Sequence, residues 1–185
     1  CIHNMNLQMQ FIRIFILFCI MSTIVIQVKS QLMNVSSDLQ LATDHTGGIV
    51  GTGVSFADFN GDDIDDLTFG HHEGQLRFYL GYNNETIAGF QEVVLNISND
   101  QSEVKMVLWA DIDNDGDQDL FVSNRFSSNK IWRNNGNMEF TDFTLESGIS
   151  LTPETKSYGA SFGDYDNDGF LDLYICNYHT SVINF

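Results

Sequence analysis

The chain has 185 residues, a formal net charge of −17 and 43% hydrophobic residues, including 15 Phe, 6 Tyr and 2 Trp. This apolar and aromatic content excludes a disordered acidic tail and indicates a globular protein, long enough for one domain. The charge argues against nucleic acid as a partner, because binding to phosphates requires clustered Lys and Arg.

The N-terminal residues 1–30 are predicted to be a secretory signal peptide. An apolar run over residues 14–26 is followed by Val28 and Ser30, which fit the −3 and −1 positions of a cleavage site, so the mature chain would begin at Gln31. An uncleaved membrane anchor is disfavoured, because these 13 residues are fewer than the ~20 that a membrane span requires. We therefore expect a secreted protein, extracellular or at the cell surface, without a membrane span in its mature form.

Three segments make up the predicted domain organisation. The signal peptide over residues 1–30 includes a few residues upstream of the predicted start at Met5. A leader or linker follows over residues 31–46, and repeats occupy residues 47–185. Cys176 is the single cysteine of the predicted mature chain, so no internal disulfide can form there and the fold needs another means of stabilisation.

A repeat with a period of 53 residues runs through the predicted mature chain. Its three copies read GTGVSFADFNGDDIDDLTFG, VKMVLWADIDNDGDQDLFVS and SYGASFGDYDNDGFLDLYIC, and their first acids, Asp58, Asp111 and Asp164, follow one another at 53-residue intervals without a gap. An aromatic residue stands two positions before each of these acids, and a leucine stands nine positions after it. Fixed spacing of this kind is the sequence signature of a repeat architecture.

The segments beside the acidic turns are predicted to be strands. They are short, rich in β-forming residues and partly alternating, and Asn135-Gly136 predicts a hairpin turn. Each repeat is thus expected to contain about four short antiparallel strands, like a propeller blade, which predicts an all-β chain with about three blades of a partial β-propeller. A tandem of unrelated small β-domains is disfavoured, because one 53-residue unit without disulfides buries too little core.

The acidic turns are predicted to bind calcium. Carboxylates this close repel one another unless a positive charge lies between them, and oxygens at positions 1, 3 and 5 can converge when the backbone curls around one centre. The glycine at position 6 permits a positive φ, the backbone carbonyl at position 7 adds an oxygen, and the acid at position 9 completes the shell. Hard oxygen ligands without His or Cys favour calcium over zinc or copper. The predicted ligands of about three ions are Asp58, Asn60, Asp62, Ile64 and Asp66 in the first turn, Asp111, Asp113, Asp115, Asp117 and Asp119 in the second, and Asp164, Asp166, Asp168, Phe170 and Asp172 in the third.

The first turn departs from the other two. Asn60 supplies an oxygen without a charge, and Asp63 takes the place of the glycine at position 6, where aspartate is tolerated less well. We therefore expect the first turn to bind calcium more weakly. None of the turns is an EF-hand loop, because position 12 is a strand residue rather than a Glu. A metal-free, solvated acidic turn is the disfavoured alternative, and the ions are expected to be structural rather than signalling or catalytic.

The motifs DFNGDDIDDL, DIDNDGDQDL and DYDNDGFLDL resemble the calcium loops of FG-GAP/VCBS repeats, the blades of integrin-alpha-type β-propellers. The run from Asn129 to Tyr178 is similar to the cartilage acidic protein family, whose propeller is often followed by an ASPIC/UnbV domain. The resemblance covers residues 47–185 and implies a secreted, calcium-binding, non-enzymatic propeller used in adhesion or recognition. Since propellers close with 4–8 blades, about three repeats predict an incomplete propeller, truncated at the C-terminus.

Two classes of function are open. In the first, loops at the blade tips contact a protein or glycan ligand of unknown identity. In the second, the propeller belongs to a polysaccharide-degrading enzyme of the lyase type. The binding module is preferred, because no acid and base paired with a cationic residue is evident in the sequence. His71, His72 and Glu73 are interpreted as a solvated loop rather than as a zinc or acid–base cluster.

Overall fold

The structure is a computed structural model that describes residues 39, 41, 52–84, 87–99, 102–149, 151 and 156–178. All of these residues belong to one compact unit, Asp38–Phe185. The predicted signal peptide and nearly all of the predicted leader lie outside the described residues, so both assignments stay predictions.

Antiparallel strands account for the regular secondary structure of the described residues. They are β1 Val54–Ala57, β2 Asp66–Gly70, β3 Leu76–Asn83, β4 Ala88–Val93, β5 Val104–Ala110, β6 Asp119–Asn124, β7 Lys130–Asn134, β8 Phe140–Asp142, β9 Lys156–Gly163 and β10 Asp172–Tyr178. Strands β1–β4 form one four-stranded sheet, β5–β8 form a second, and β9 and β10 form a two-stranded sheet, each in chain order. Since this part of the chain contains no helix, the predicted all-β fold is confirmed.

Each sheet corresponds to one predicted repeat. The first two are four-stranded meanders, as expected for propeller blades, and the third contains two strands within the described range. The first hairpin of each sheet has the same register, since Asp66 pairs with Ala57, Asp119 with Ala110 and Asp172 with Gly163. The aspartate at position 9 of each acidic turn is therefore the first residue of the second strand.

The sheets stack in chain order. Strands β1 and β2 contact β5, and strands β5 and β6 contact β9. This is the arrangement of consecutive blades in a partial β-propeller. Stacking buries an apolar face of one sheet against the next, and this supplies the core that a single repeat would lack.

Aromatic side chains fill the space between the first two sheets. Phe59 is buried and stacks on Trp109 with 4.8 Å between the ring centroids, while Trp109 Nε1 donates to Thr68 Oγ1 at 3.0 Å. Trp109 is the aromatic residue that stands two positions before Asp111, so the same repeat position packs the core and leads into the acidic turn. The other buried members of this core are Phe78, Val104, Val107, Leu120, Val122, Trp132 and Phe140.

Gly53 lets the first two sheets approach closely. A Cβ atom at this position would lie 2.6 Å from the Cα of Met106 on β5, a distance that side chains do not tolerate. Any larger residue would therefore push the first sheet away from the second.

A chain of polar side chains joins the three sheets at the strand ends opposite the acidic turns. Asn99 and Asn124 exchange two amide hydrogen bonds of 2.9 and 3.0 Å, and the backbone N–H of Asn124 donates to Asn129 Oδ1 at 3.0 Å. Asn129 Nδ2 donates to Ser157 Oγ at 2.9 Å, and Ser157 Oγ donates to Asn177 Oδ1 at 2.7 Å. Asn124, Asn129 and Ser157 are buried and satisfy one another, whereas Asn177 is exposed. Asn99 Nδ2 also donates to the carbonyl oxygen of Gly74 in the first repeat at 3.1 Å, so each blade is tied to the next by polar as well as apolar contacts.

An ion-pair cluster borders the second and third sheets. The Glu103 carboxylate accepts hydrogen bonds from Lys105 Nζ and from Arg125 Nη1, the latter at 2.7 Å. Both cations also face the ring of Tyr158 on β9. Burial alone would raise the pKa of the Glu103 carboxyl, but the hydrogen bonds from the two cations lower it below its usual value of 4.5.

We predict that Glu103→Gln lowers the free energy of unfolding by about 3–5 kcal/mol at neutral pH, because it removes the negative charge that two largely buried cations face. The folded pKa of Glu103 is depressed, so its stabilisation is complete above the unfolded pKa and is lost as the pH falls through the folded pKa. Urea unfolding at a series of pH values measures the difference between wild type and variant. This difference should shrink below pH 4.5, and a constant difference would contradict the assignment.

Candidate metal centre

The acidic turns are the hairpin loops that join the first two strands of each sheet. The first loop spans residues 58–65 between β1 and β2, the second spans 111–118 between β5 and β6, and the third spans 164–171 between β9 and β10. The three loops therefore have the same setting in three sheets, as the 53-residue period predicts.

Backbone N–H groups converge on the aspartate at position 1 of each loop. In the second loop, Asp111 Oδ1 accepts the N–H of Asp115 at 3.1 Å, and Asp111 Oδ2 accepts the N–H of Gly116 at 2.9 Å. Asp58 and Asp164 accept the equivalent pairs of hydrogen bonds at 2.8–3.1 Å. In all three loops the carboxylate at position 5 accepts the N–H of position 7 at 2.9 Å. These bonds hold the backbone in a curl around the carboxylates.

Positions 4 and 6 of every loop have positive φ. The φ values lie between 60° and 97° for the pairs Gly61 and Asp63, Asn114 and Gly116, and Asn167 and Gly169. The predicted left-handed conformation at position 6 is confirmed, and Asp63 adopts it with a φ of 66°. Asparagine and aspartate enter this region more readily than other non-glycine residues, so each loop uses residue types that suit its backbone.

Two of the loops each hold three carboxylates close enough to share one ion. The groups, whose ligand atoms lie within 4.8 Å of one another, are Asp111, Asp113 and Asp115 in the second loop and Asp164, Asp166 and Asp172 in the third. Within the described ranges, none of these aspartates forms an ion pair with Lys or Arg. Although the Asp113 side chain is exposed, partial desolvation and the charge of Asp115 raise the pKa of its carboxyl, whereas the charge of Arg133 lowers it. Several converging carboxylate oxygens that no Lys or Arg of the described residues pairs with fit a hard divalent ion such as Ca²⁺.

The aspartates at position 9 anchor the backbone. Asp119 is 1% exposed, and it accepts the N–H of Ile112 at 2.9 Å on Oδ2 and the N–H of Asn134 at 2.8 Å on Oδ1. Asp66 is fully buried and accepts two equivalent backbone hydrogen bonds, at 3.1 and 2.9 Å. Burial raises the pKa of both carboxyls to about 6, although the backbone hydrogen bonds act in the opposite direction.

This anchoring role was not part of the sequence prediction, which placed the position-9 acids in the metal shell. Asp172 lies in the carboxylate group of the third loop, and it also accepts the N–H of Tyr165 at 3.0 Å. A carboxylate oxygen that accepts one N–H keeps a second lone pair, so metal ligation is compatible with these bonds. Ligation by Asp66 and Asp119 stays a prediction.

The other predicted ligands are held beside these groups. The residues at position 7, Ile64, Asp117 and Phe170, each donate an N–H to the carboxylate at position 5, and ligation by their carbonyl groups stays a prediction. In the third loop it is Asp172 rather than Asp168 that joins Asp164 and Asp166. Asp168 receives the N–H of Phe170 instead.

In the first loop an amide replaces one carboxylate. Asn60 Nδ2 donates to Asp62 Oδ2 at 3.1 Å, and Asn60 Oδ1 accepts the N–H of Asp62 at 2.9 Å. The amide therefore engages a carboxylate that a metal ion would need. These contacts agree with the predicted weaker binding by the first loop, which stays a prediction.

Asn134 is a site residue that sequence analysis did not single out. It is buried, and its Nδ2 donates to the carbonyl oxygen of Phe59 at 3.1 Å while its N–H binds Asp119. Asn134 thus connects the second loop to the sheet that carries the first. The equivalent residue of the first repeat, 53 positions earlier, is Gly81. Its N–H donates to the position-9 aspartate Asp66 as the N–H of Asn134 does to Asp119, so the backbone part of this role recurs with the repeat.

The histidine-rich turn between β2 and β3 is not part of the acidic loops. The rings of His71 and His72 lie 4.2 Å apart, and His72 Nε2 lies 3.8 Å from Glu73 Oε1. These residues belong to neither of the two carboxylate groups. Their interpretation as a solvated loop stays a prediction.

We predict that Asp119→Asn lowers the free energy of unfolding by about 1–3 kcal/mol even in a chelator, because one amide oxygen replaces two acceptors that serve buried N–H groups. Asp113→Asn is the matched control, since it makes the same chemical change at an exposed position, and in chelator it should change stability by less than about 0.5 kcal/mol. Urea unfolding in EDTA measures both variants, and equal effects would contradict the anchoring role of Asp119.

Comparison with known proteins places these loops in a family. The model of the FG-GAP-like repeat matches residues 58–122 and 111–175, and each match starts at position 1 of a loop. The chain is 32% identical to Cartilage acidic protein 1 of Xenopus tropicalis over 130 residues, and 32% identical to the proteins of that name from Homo sapiens and Mus musculus over 131 residues. Each alignment covers 66% of this chain and 20% of the relative, so the chain spans about a fifth of the length of the curated relatives it matches.

Among the residues that the structure describes, no helix has the length and hydrophobicity needed to cross a bilayer.

The two family matches together extend from the first acidic loop to residue 175 in β10. The chain therefore belongs to the FG-GAP-like repeat family.

Proposed function

We propose that this chain is part of a secreted calcium-binding β-propeller that serves in adhesion or in recognition of a protein or glycan, with its calcium ions acting as structural elements of the blades. The observation that carries the proposal is the convergence of three carboxylates in each of two equivalent hairpin loops. The same loop backbone recurs in the first repeat, which supports a third, weaker site.

The ligand chemistry supports calcium. The proposed shell contains the acids or amide at positions 1, 3 and 5, the carbonyl at position 7 and the acid at position 9, all of which offer hard oxygen atoms. Calcium accepts irregular shells of about six to eight oxygens, whereas magnesium demands a nearly ideal octahedron. The ion supplies positive charge between carboxylates that otherwise repel one another. The chain's own residues curl the loop and aim the oxygens.

A structural role for the ions follows from the position of the loops. The first and second loops each join two strands that contact a neighbouring sheet, and the third loop begins at the end of β9, which contacts β5 and β6. An ion that binds only the folded loop stabilises the sheet by mass action, by about 2.7 kcal/mol per site when its free concentration is 100 times the dissociation constant. The predicted mature chain has no internal disulfide, so calcium would take over this stabilising function.

The extracellular part of the proposal rests on the predicted signal peptide over residues 1–30 and on relatives that are named for cartilage and for their acidic character. Extracellular calcium modules bind their ions with dissociation constants of about 10⁻⁴–10⁻³ M. The third loop is exposed over most of its length, and such a site suits this weak range better than tight binding.

We predict that Asp113→Ala combined with Asp166→Ala lowers the melting temperature in millimolar calcium but not in chelator. Each substitution removes the carboxylate at position 3 from a loop, so the variant loses stabilisation that depends on the ion. Differential scanning calorimetry with calcium and with EDTA measures the effect, which should amount to several degrees for a domain of this size.

The control for this experiment is Glu139→Ala combined with Glu146→Ala, which removes the same charge at two exposed positions outside the loops. This control should respond to calcium as the wild type does. An equal loss of melting temperature in calcium and in chelator for the loop variant would contradict the metal assignment.

One assay distinguishes a recognition function from a catalytic one. The secreted protein is incubated in calcium with a panel of polysaccharides and extracellular-matrix proteins, and both binding and polysaccharide cleavage are followed. Retention on a glycan or on a matrix protein without cleavage agrees with the proposed function, whereas polysaccharide cleavage would replace recognition by a lyase activity.

A further inference from the structure

One hydrogen bond joins the second and third acidic loops. Asn114 Nδ2, at position 4 of the second loop, donates to the carbonyl oxygen of Gly169, at position 6 of the third loop, at 2.9 Å. The two residues lie in hairpin loops of different sheets and are 55 positions apart, so the bond bridges neighbouring blades. Neither the Asn114 amide nor the Gly169 carbonyl is a predicted metal ligand.

Both ends of this bond are tied to predicted ligands. Asn114 stands between Asp113 and Asp115, whose carboxylates belong to the group in the second loop. On the other side, the Gly169 N–H donates to the position-1 carboxylate of the third loop at 3.0 Å. The peptide that contains the Gly169 carbonyl also donates its N–H to Asp168 at 2.9 Å. A shift of either loop is therefore transmitted to carboxylates of the other through a single peptide group.

Among the described loops, a position-4 side chain links the second loop to the third but does not link the first loop to the second. Gly61 occupies position 4 of the first loop and has no side chain that could reach a neighbour. Asn167 occupies position 4 of the third loop, and its side chain makes no hydrogen bond within the described part of the chain. Asn167 is a matched residue for Asn114, because the two have nearly the same φ, 60° and 61°, and only Asn114 donates a hydrogen bond between the second and third loops.

We infer that Asn114 couples metal binding at the second and third loops, as a positioning residue rather than as a ligand. The inference rests on the proposed function, since it requires both loops to bind calcium. An ion that orders one loop fixes one end of the bond, so the other loop has less conformational freedom left to lose when its own ion binds. The coupling is reciprocal by thermodynamic linkage. A single hydrogen bond sets its size at about 2- to 10-fold in affinity.

The test is a calcium titration of the ¹⁵N-labelled chain, read by NMR at two backbone amides. Gly116 and Gly169 each donate an N–H to the position-1 aspartate of their own loop, so the two signals report the second and third sites separately. The variants are Asn114→Gly and the matched control Asn167→Gly. Both remove an asparagine with positive φ, and Gly61 already occupies this position in the first loop.

Each variant is read at the loop that it does not alter. Asn114→Gly should weaken calcium binding at the third loop, reported by Gly169, by about 2- to 10-fold. Asn167→Gly should leave binding at the second loop, reported by Gly116, at the wild-type value. An unchanged affinity of the third loop in Asn114→Gly would overturn the inference while leaving the calcium sites intact. If neither amide of the wild type responds to calcium, the proposed function fails, and the inference fails with it.

A second pair of variants covers the case in which glycine unfolds the loop. Asn114→Asp and Asn167→Asp keep the side-chain shape and the tolerance of positive φ, but the aspartate side chain has no N–H group to donate. Both add one negative charge to their own loop. A loss of remote affinity in Asn114→Asp that exceeds the loss in Asn167→Asp agrees with coupling through the Asn114 amide, and equal losses contradict it.

Discussion

The concentration of like charge in three hairpin loops is the constraint on which the rest of the structure depends. The segments 58–66, 111–119 and 164–172 contain 14 of the 25 acidic residues of the chain. Backbone N–H groups donate hydrogen bonds to the carboxylates at positions 1, 5 and 9 of each loop and so stabilise part of this negative charge. On the face where the carboxylates of the second and third loops converge, none of them forms an ion pair with a Lys or Arg of the described residues, although the charge of Arg133 acts on Asp113. A divalent ion is the simplest group that completes such an arrangement.

The same loops are continuous with the core, so a metal site and blade packing are parts of one structure. Asp119 opens β6 and binds the backbone of β7 through Asn134, whose amide reaches the neighbouring sheet at Phe59. Phe59 in turn stacks on Trp109, two residues before the loop. Displacing one position-9 aspartate would therefore disturb three strands of its own sheet and the aromatic contact with the next. This continuity explains why a buried carboxylate with a raised pKa is kept at that position.

Much of this organisation could be predicted from the sequence, because the repeat fixes which residues are equivalent. The 53-residue period placed the sheets, the hairpin loops and the left-handed Asp63 correctly. The Asn114–Gly169 bond and the Glu103 cluster could not be foreseen, since both depend on which residues of separate sheets become neighbours. The anchoring role of Asp119 was missed for a different reason. An aspartate in an acidic loop suggests a ligand, and only the register of β6 against β5 and β7 shows that its oxygens face backbone N–H groups.

The most direct test of the central claim is anomalous X-ray scattering from crystals of the protein grown in millimolar calcium chloride. The account predicts a calcium peak among Asp111, Asp113 and Asp115 and another among Asp164, Asp166 and Asp172, each with oxygen ligands at about 2.3–2.6 Å. Loops that hold only water at that calcium concentration, with the carboxylates in the same positions, would contradict it.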